Sequence, residues 1–173
     1  MSHKPVIRKA VPADAENLAA LAIQVWLHTY ATNGISLTAS RYVLSEFTPE
    51  KFAALLGNEN NVVILSEVNA HLVGYAVIAF GASCPAGNSS TTQLSTLYVQ
   101  EHFTRAGVGS ALLAEAEALS AQRTHEPMWL AVNALNSRAI GFYAKHGYRN
   151  IGVTYFELGG EKHENFVLVG QGA

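Results

Sequence analysis

The stretch QLSTLYVQEHFTRAGVGSALL, Gln93 to Leu113, carries three signals in a row. A β-type run through Leu94, Leu97, Tyr98 and Val99 passes by a short polar connection into Gly107, Val108, Gly109 and Ser110, and a helical run rich in Ala and Leu follows. Strand, glycine loop and helix start make a phosphate cradle. The first turn of a helix presents N–H groups without intrahelical partners at the positive end of its dipole, and glycine lets that backbone come close to an anion. A Walker loop would need Gly-Lys-Ser/Thr, but Gly109 precedes Ser110 and no lysine is placed to reach a terminal phosphate. A dinucleotide fingerprint would need a third glycine where Leu112 stands. A Gly-x-Gly taken alone suits a plain tight turn equally well, so the neighbouring sequence must choose.

It does so at LAVNALNSRAIGFYAKHGY, Leu130 to Tyr148. Asn136 is a good N-cap and Gly147 a good residue to follow a helix end, which predicts a short helix over Ser137 to His146. Asn136 and Tyr143 are seven residues apart, close to two turns, so they lie along one side with Ala139 and Ile140 between. Each taken alone reads as a cap and as a core aromatic.

Together the two stretches resemble the GNAT superfamily of acyl-CoA-dependent N-acetyltransferases. The matching residues are Leu97-Tyr98-Val99, then Thr104-Arg105-Ala106-Gly107-Val108-Gly109, then Asn136, Ala139, Phe142-Tyr143 and Gly147-Tyr148. Thr104 stands where the family usually has Gln or Arg, a departure that touches one pyrophosphate contact and leaves the backbone cradle. The Thr29-Tyr30 region and the tail from Tyr155 to Leu168 look most like bacterial diamine and polyamine N-acetyltransferases. The resemblance implies an α/β fold in a single GNAT-type domain, residues 1–173, with a mixed central sheet flanked by helices. In such a fold the strands carrying Val99 and Leu130 splay apart and admit the pantetheine arm of acetyl-CoA.

The resemblance also implies a site. Leu97, Tyr98 and Val99 would pair with the pantetheine as an added strand, and an N–H near Val99 would polarise the thioester carbonyl. Thr104, Arg105, Ala106, Gly107, Val108, Gly109 and Ser110 would hold the pyrophosphate, with Asn136 and Tyr143 completing the cofactor site. The Arg105 side chain alone reads as an exposed surface arginine. Tyr143 would be the catalytic acid that protonates the departing thiolate, in direct transfer within a ternary complex. His28, Tyr30 and Gln93 are the candidates at the acceptor. An alkylamine of pKa ~10.4 is protonated near neutrality, and freeing it at pH 7 costs about 4.6 kcal/mol. Many relatives place a Glu on the cofactor strand for this task; the matching position is Gln93, and an amide cannot be a general base. The role then passes to water with His28, Tyr30 or Glu46, or the acceptor is less basic.

The expected acceptor is a primary amine of a small molecule. A protein or peptide amino group, or a non-catalytic acyl-CoA-binding module, are the alternatives. Tyr143 favours catalysis and the missing carboxylate at position 93 favours the module. A formal net charge of −2 with no basic block leaves no footprint for nucleic acid. No apolar run is long enough for a bilayer and the amino terminus lacks a signal-peptide core, so a cytoplasmic protein is expected, without a membrane partner. The single cysteine, Cys84, forms no internal disulfide, and no cluster has metal-ligand spacing. His102, His125, His146 and His163 read as exposed or structural. Homodimers are common in the resembled family, though no stretch encodes one.

The remaining chain supplies ordinary α/β elements. Pro5 to Lys9 reads as a strand, and a helix opening at Pro12 with Asp14 and Glu16 turns Leu18, Leu21, Ala22 and Val25 inward. That helix is expected to end around Trp26, His28 and Tyr30 in a polar, irregular connection through Asn33-Gly34. Thr48-Pro49 starts a helix that Gly57 ends. Asn61 to Glu67 and His71 to Phe80 read as a hairpin, and Ser83 to Ser90 as a loop. Val108, Leu112, Ala116 and Leu119 form the buried stripe of the helix after the cradle. A strand over Pro127 to Val132 and a last hairpin of Ile151 to Leu158 and Asn165 to Val169, joined by Gly159-Gly160, close the chain.

Overall fold

The computed structural model describes residues 4–172. Among them the order is β1 (Val6–Lys9), α1 (Ala15–Tyr30), α2 (Leu37–Glu46), α3 (Pro49–Leu56), β2 (Asn61–Val68), β3 (His71–Phe80), β4 (Thr92–Val99), α4 (Val108–Arg123), β5 (Trp129–Asn133), α5 (Ser137–Lys145), β6 (Arg149–Leu158) and β7 (Glu161–Val169). The strands hydrogen-bond in the order β1-β2-β3-β4-β5-β7-β6. β1–β2, β5–β7 and β6–β7 are antiparallel, whereas β4 and β5 are parallel, with Gln93 opposite Trp129. A parallel neighbour cannot be reached by a tight turn. Helix α4 supplies the crossover, and the loop that starts it is the Gly107 loop.

By contacts the chain divides into two compact units, one comprising the residues up to Val77 with Thr96–Ala116, the other Ile78–Ser95 with the residues from Glu117 on. In the first, Leu18, Leu21 and Ala22 of α1 and Phe52 of α3 bury against Val63, Leu65, Tyr75 and Val77. Successive strand residues point to opposite faces. Gly74 accordingly points away from Tyr75, toward Val108 and Leu112 of α4, and these helices cover both faces of β3. In the second unit Cys84, Trp129 and Val167 pack together with Ile151. The loop before β4 is fastened there by Trp129 Nε1–H donating to the Ala82 carbonyl at 2.8 Å and Ser90 Oγ donating to the Pro127 carbonyl at 2.6 Å.

The two short hairpins form as their turn residues dictate. Asn69 and Ala70 take φ of 52° and 61°, and Gly159 and Gly160 take 59° and 81°, the left-handed pairs that match strand twist in two-residue turns. Three expectations change. Helix α1 ends at Tyr30 as expected, but the connection expected to be irregular leads into α2, whose first turn is capped by Ser36 Oγ accepting from Ala39 N–H at 3.1 Å. Strand β7 begins at Glu161, four residues before the expected start, because the tight turn lets every following residue pair with β6. In α4 the buried residues are Val108, Leu112, Leu113, Ala116 and Ser120, with Leu119 only half-buried.

Arg8 of β1 joins three elements. Its Nη1 and Nη2 donate to the two carboxylate oxygens of Asp14 at 2.8 Å each, and Nε and Nη2 donate to Glu67 of β2 at 3.1 and 2.7 Å. Asp14 also accepts from the Val11 amide at 2.7 Å. The Arg8 hydrogen bonds outweigh desolvation and hold the Asp14 carboxyl below the usual carboxylate range. A lowered folded pKa means that the unfolded chain binds the extra proton. The contribution is therefore complete above the unfolded carboxylate value and is lost as pH falls through the folded one. Asp14→Asn is expected to cost about 1–3 kcal/mol at neutral pH and less in acid, which melting curves across the acid range will register; a pH-independent difference would contradict the assignment.

Candidate active site

The C-terminal half of β4 presents its residues alternately. Tyr98 turns its ring edge-on to Tyr75, centroids 5.7 Å apart, on the face covered by α1, so Leu97 and Val99 point the other way. Gln100 N–H donates to the Val73 carbonyl at 2.8 Å and extends the β3 pairing past the last β4 residue. A 3-10 turn over Glu101–Phe103 follows, closed by Thr104 Oγ1 donating to the Glu101 carbonyl at 2.8 Å. The hydroxyl of Thr104 thus shapes the loop backbone.

Arg105 and Gly107 then take φ of 66° and 81°. Left-handed residues redirect successive amides, and for a residue with a Cβ such as Arg105 the conformation costs about 1–2 kcal/mol. Helix α4 starts at Val108, and Ala111 N–H donates to the Gly107 carbonyl at 3.0 Å. The amides of that first turn lie at the positive end of a helix of 16 residues. Loop and helix start together provide an anion cradle, and Ser110 lies exposed in its first turn.

Beside this loop, in the same unit, Gln24, Val25, His28 and Thr29 of α1 face Val99, Gln100, Glu101 and His102 across a cleft of about 240 Å³. His28 Nε2 lies 3.4 Å from a Glu101 carboxylate oxygen, and Gln100 Nε2–H donates to Gln24 Oε1 at 2.9 Å. Of the residues expected at the acceptor, His28 lines this cleft. Tyr30 does not: it is 44% exposed and its ring rests on Trp26, 5.1 Å between centroids. Trp26 in turn meets Tyr42, whose phenol is pushed up by burial first and then by Glu46 and Tyr30. Glu46 is engaged by Lys51 at 3.0 Å. The cleft also brings together Gln24, Gln100, Glu101 and His102, none of them expected at the acceptor. A helical i, i+1, i+4 pattern in Gln24, Val25 and His28 was the available signal on α1; nothing local marks Glu101 as more than part of a polar turn.

The second unit holds the other candidates. Asn136 caps α5, its Oδ1 accepting from the Ala139 amide at 3.1 Å. Tyr143 is 8% exposed, its ring against Phe142 and Tyr148 at 5.3 and 5.6 Å. Tyr148 donates to Glu117 Oε1 at 3.1 Å, and burial followed by that carboxylate holds its phenol protonated well above the usual range. The Tyr148–Glu117 link was also invisible in the sequence. Gln93 is half-buried on β4. Cys84 is buried as a free thiol. Among the described residues no group of three His, Cys, Asp or Glu side chains could hold a metal ion, and no helix is long and apolar enough to cross a membrane.

A mixed sheet whose parallel pair is bridged by a helix opening on a left-handed glycine loop is an α/β arrangement with an anion cradle at the helix start. The chain belongs to the Acetyltransferase (GNAT) family, whose model matches residues 22–148. It is 27% identical over 156 residues to an uncharacterized N-acetyltransferase of Mycobacterium tuberculosis, an alignment covering 90% of this chain and 96% of the relative. A spermidine N(1)-acetyltransferase of Thermoplasma acidophilum is 25% identical over 147 residues, 83% of this chain and 87% of that one. Among solved structures, the PaiA N-acetyltransferase of Thermoplasma acidophilum, in complex with coenzyme A, superposes with a TM-score of 0.77 at 22% identity, covering 97% of this chain and 99% of that one.

Proposed function

We propose that the protein transfers the acetyl group of acetyl-CoA to a primary amine of a small molecule, directly within a ternary complex. The observation that carries this reading is the Arg105–Gly107 loop: two left-handed residues immediately before the amides of the α4 start. Thr104 to Ser110 take the pyrophosphate, and the backbone of Leu97, Tyr98 and Val99 takes the pantetheine. The Val99 N–H faces the thioester oxygen, Asn136 and Tyr143 complete the site, and Tyr143 donates to the leaving thiolate. His28, Tyr30 and Gln93 serve the acceptor in this reading. The named activity of the spermidine-acetylating relative supports a small amine over a peptide. One domain spanning the chain and a cytoplasmic location belong to the same reading.

The test is thiol release from acetyl-CoA with spermidine, 1,3-diaminopropane, phenylethylamine and an unblocked tripeptide. Turnover of the small amines at a higher kcat/KM than the tripeptide is expected; preference for the peptide would overturn the acceptor class, and no turnover would overturn catalysis.

The cradle has its own test. No atom lies within 4 Å of a Cβ built on Gly107, so packing tolerates a side chain there, but φ +81° does not. Gly107→Val must move the loop, at about 1–2 kcal/mol for a residue with a Cβ. Calorimetric titration should show acetyl-CoA binding weakened about tenfold or more, at 1.4 kcal/mol per decade, while the melting curve changes little. Unchanged affinity in the folded variant would end the phosphate-loop assignment.

A further inference from the structure

We propose that His28 is the general base that deprotonates the acceptor amine, with Glu101 as the positioning residue that holds its imidazole. The inference rests on the acetyltransferase reading above. It deepens that reading by supplying the proton acceptor that Gln93 cannot be.

Three observations converge on one cleft. Val99, whose amide is assigned to the thioester oxygen, forms part of its wall, so an amine seated there stands next to the carbonyl it must attack. The titratable side chains on the lining are His28, Glu101 and His102, and the lining carries no lysine or arginine. A protonated amine therefore meets one carboxylate on this lining. Finally, His28 Nε2 lies 3.4 Å from Glu101 Oε2. With Nε2–H directed at the carboxylate, Nδ1 carries the lone pair, and a carboxylate behind an imidazole both fixes the tautomer and stabilises the imidazolium that forms. Both side chains are about half exposed, at 59% and 43%, so a proton taken up by His28 passes readily to water.

The step balances. An alkylammonium and acetyl-CoA yield an amide, a thiol and one proton. The ammonium gives that proton to His28 Nδ1, and its nitrogen lone pair forms the new C–N bond at the thioester carbon. The C–S bond then breaks as Tyr143 gives its proton to sulfur, and the second N–H proton, lost on amide formation, passes through water to the Tyr143 oxygen and restores the phenol. His28 returns its proton to solvent.

The experiment compares wild type with His28→Asn and Glu101→Gln. The acceptors are the alkylamine that wild type turns over best and O-methylhydroxylamine, a weakly basic amine that is already unprotonated at pH 7. For the alkylamine, kcat/KM at pH 7 should fall on the order of 10²-fold in His28→Asn, the usual worth of a general base, and less in Glu101→Gln. O-methylhydroxylamine should be turned over within about threefold of wild type by both, since little of that catalysis is then required. The acidic limb of the wild-type kcat/KM profile should vanish in His28→Asn, where the rate instead follows the free-amine fraction. Acetyl-CoA affinity and melting temperature should not move. Equal losses on both acceptors, or retention of the alkylamine rate, would overturn the His28 assignment while leaving the acetyltransferase reading intact. A wild-type enzyme that acetylates no amine would overturn that reading, and this inference with it.

Discussion

Tyr143→Phe should lower kcat on the order of 10² to 10⁴-fold, with acetyl-CoA affinity and melting temperature nearly unchanged. The departing thiolate needs a hydrogen-bond or proton donor as the tetrahedral intermediate collapses, and phenols of ordinary pKa ~10 remain protonated at neutral pH. Phenylalanine keeps the ring against Phe142 and Tyr148, at centroid distances of 5.3 and 5.6 Å, and loses only the hydroxyl. A hydroxyl with a structural role alone would cost about 1 kcal/mol of stability and leave turnover intact. The two roles therefore predict opposite orderings of the kinetic and thermal effects. Turnover like wild type, under conditions where chemistry limits the rate, would make Tyr143 a packing residue.

The second large effect is expected at Gly74, in the middle of β3. A Cβ there would lie 2.9 Å from the Tyr98 carbonyl oxygen, 3.2 Å from Leu112 and 3.3 Å from Val108. The side chains of α4 can give by tenths of an ångström, but the carbonyl belongs to β4 and cannot swing aside without disturbing the strand. Overpacking of this kind costs about 1–3 kcal/mol, and in a domain of this size each kcal/mol lowers Tm by about 2–4 °C. Gly74→Val should lower Tm by several degrees and, because Val108 is the first residue of α4, weaken acetyl-CoA binding as well. Thermal melting together with calorimetry checks both, and a wild-type Tm would show that α4 does not rest on this strand as closely as described.

Gly74 also illustrates how the sequence relates to the fold. The glycines that punctuate turns were legible because their function is local: Gly107, Gly159 and Gly160 take left-handed φ where a loop or hairpin requires it. The helix bounded by Asn136 and Gly147 was legible for the same reason, since an N-cap and a left-handed residue after the helix mark its ends without reference to the rest of the chain. Gly74 serves a tertiary approach, which no pattern within β3 announces. Helix α2 was hidden by its composition. Ile35, Leu37 and Leu44 are exposed while Ala39 and Val43 are buried and Tyr42 half-buried, so the apolar residues do not trace one face and Ser36 was the remaining signal.

The site divides along the same line. The proposed phosphate loop, Asn136 and Tyr143 sit in contiguous motifs and can be nominated from the sequence alone. His28 could be placed near an acceptor only through a family likeness, and its partner Glu101 stands 73 positions later in the chain, brought within 3.4 Å by the packing of α1 on β4. Glu46, a sequence-level candidate for the base, is instead held by Lys51 in a local pair five residues apart. Tyr148 and Glu117 are likewise joined across 31 residues. Pairs of that kind appear only when the elements carrying them have packed.

The most direct test of direct transfer follows the acetyl carbon. The protein is mixed with acetyl-labelled acetyl-CoA, first alone and then with the alkylamine it prefers, and label on protein, thiol and amine is counted over one turnover. Transfer within a ternary complex predicts no label on the protein in the absence of amine, and acetylated amine appearing one for one with free CoA when amine is added. Label carried on the protein chain before amine arrives, or thiol released without acetylated amine, would contradict it.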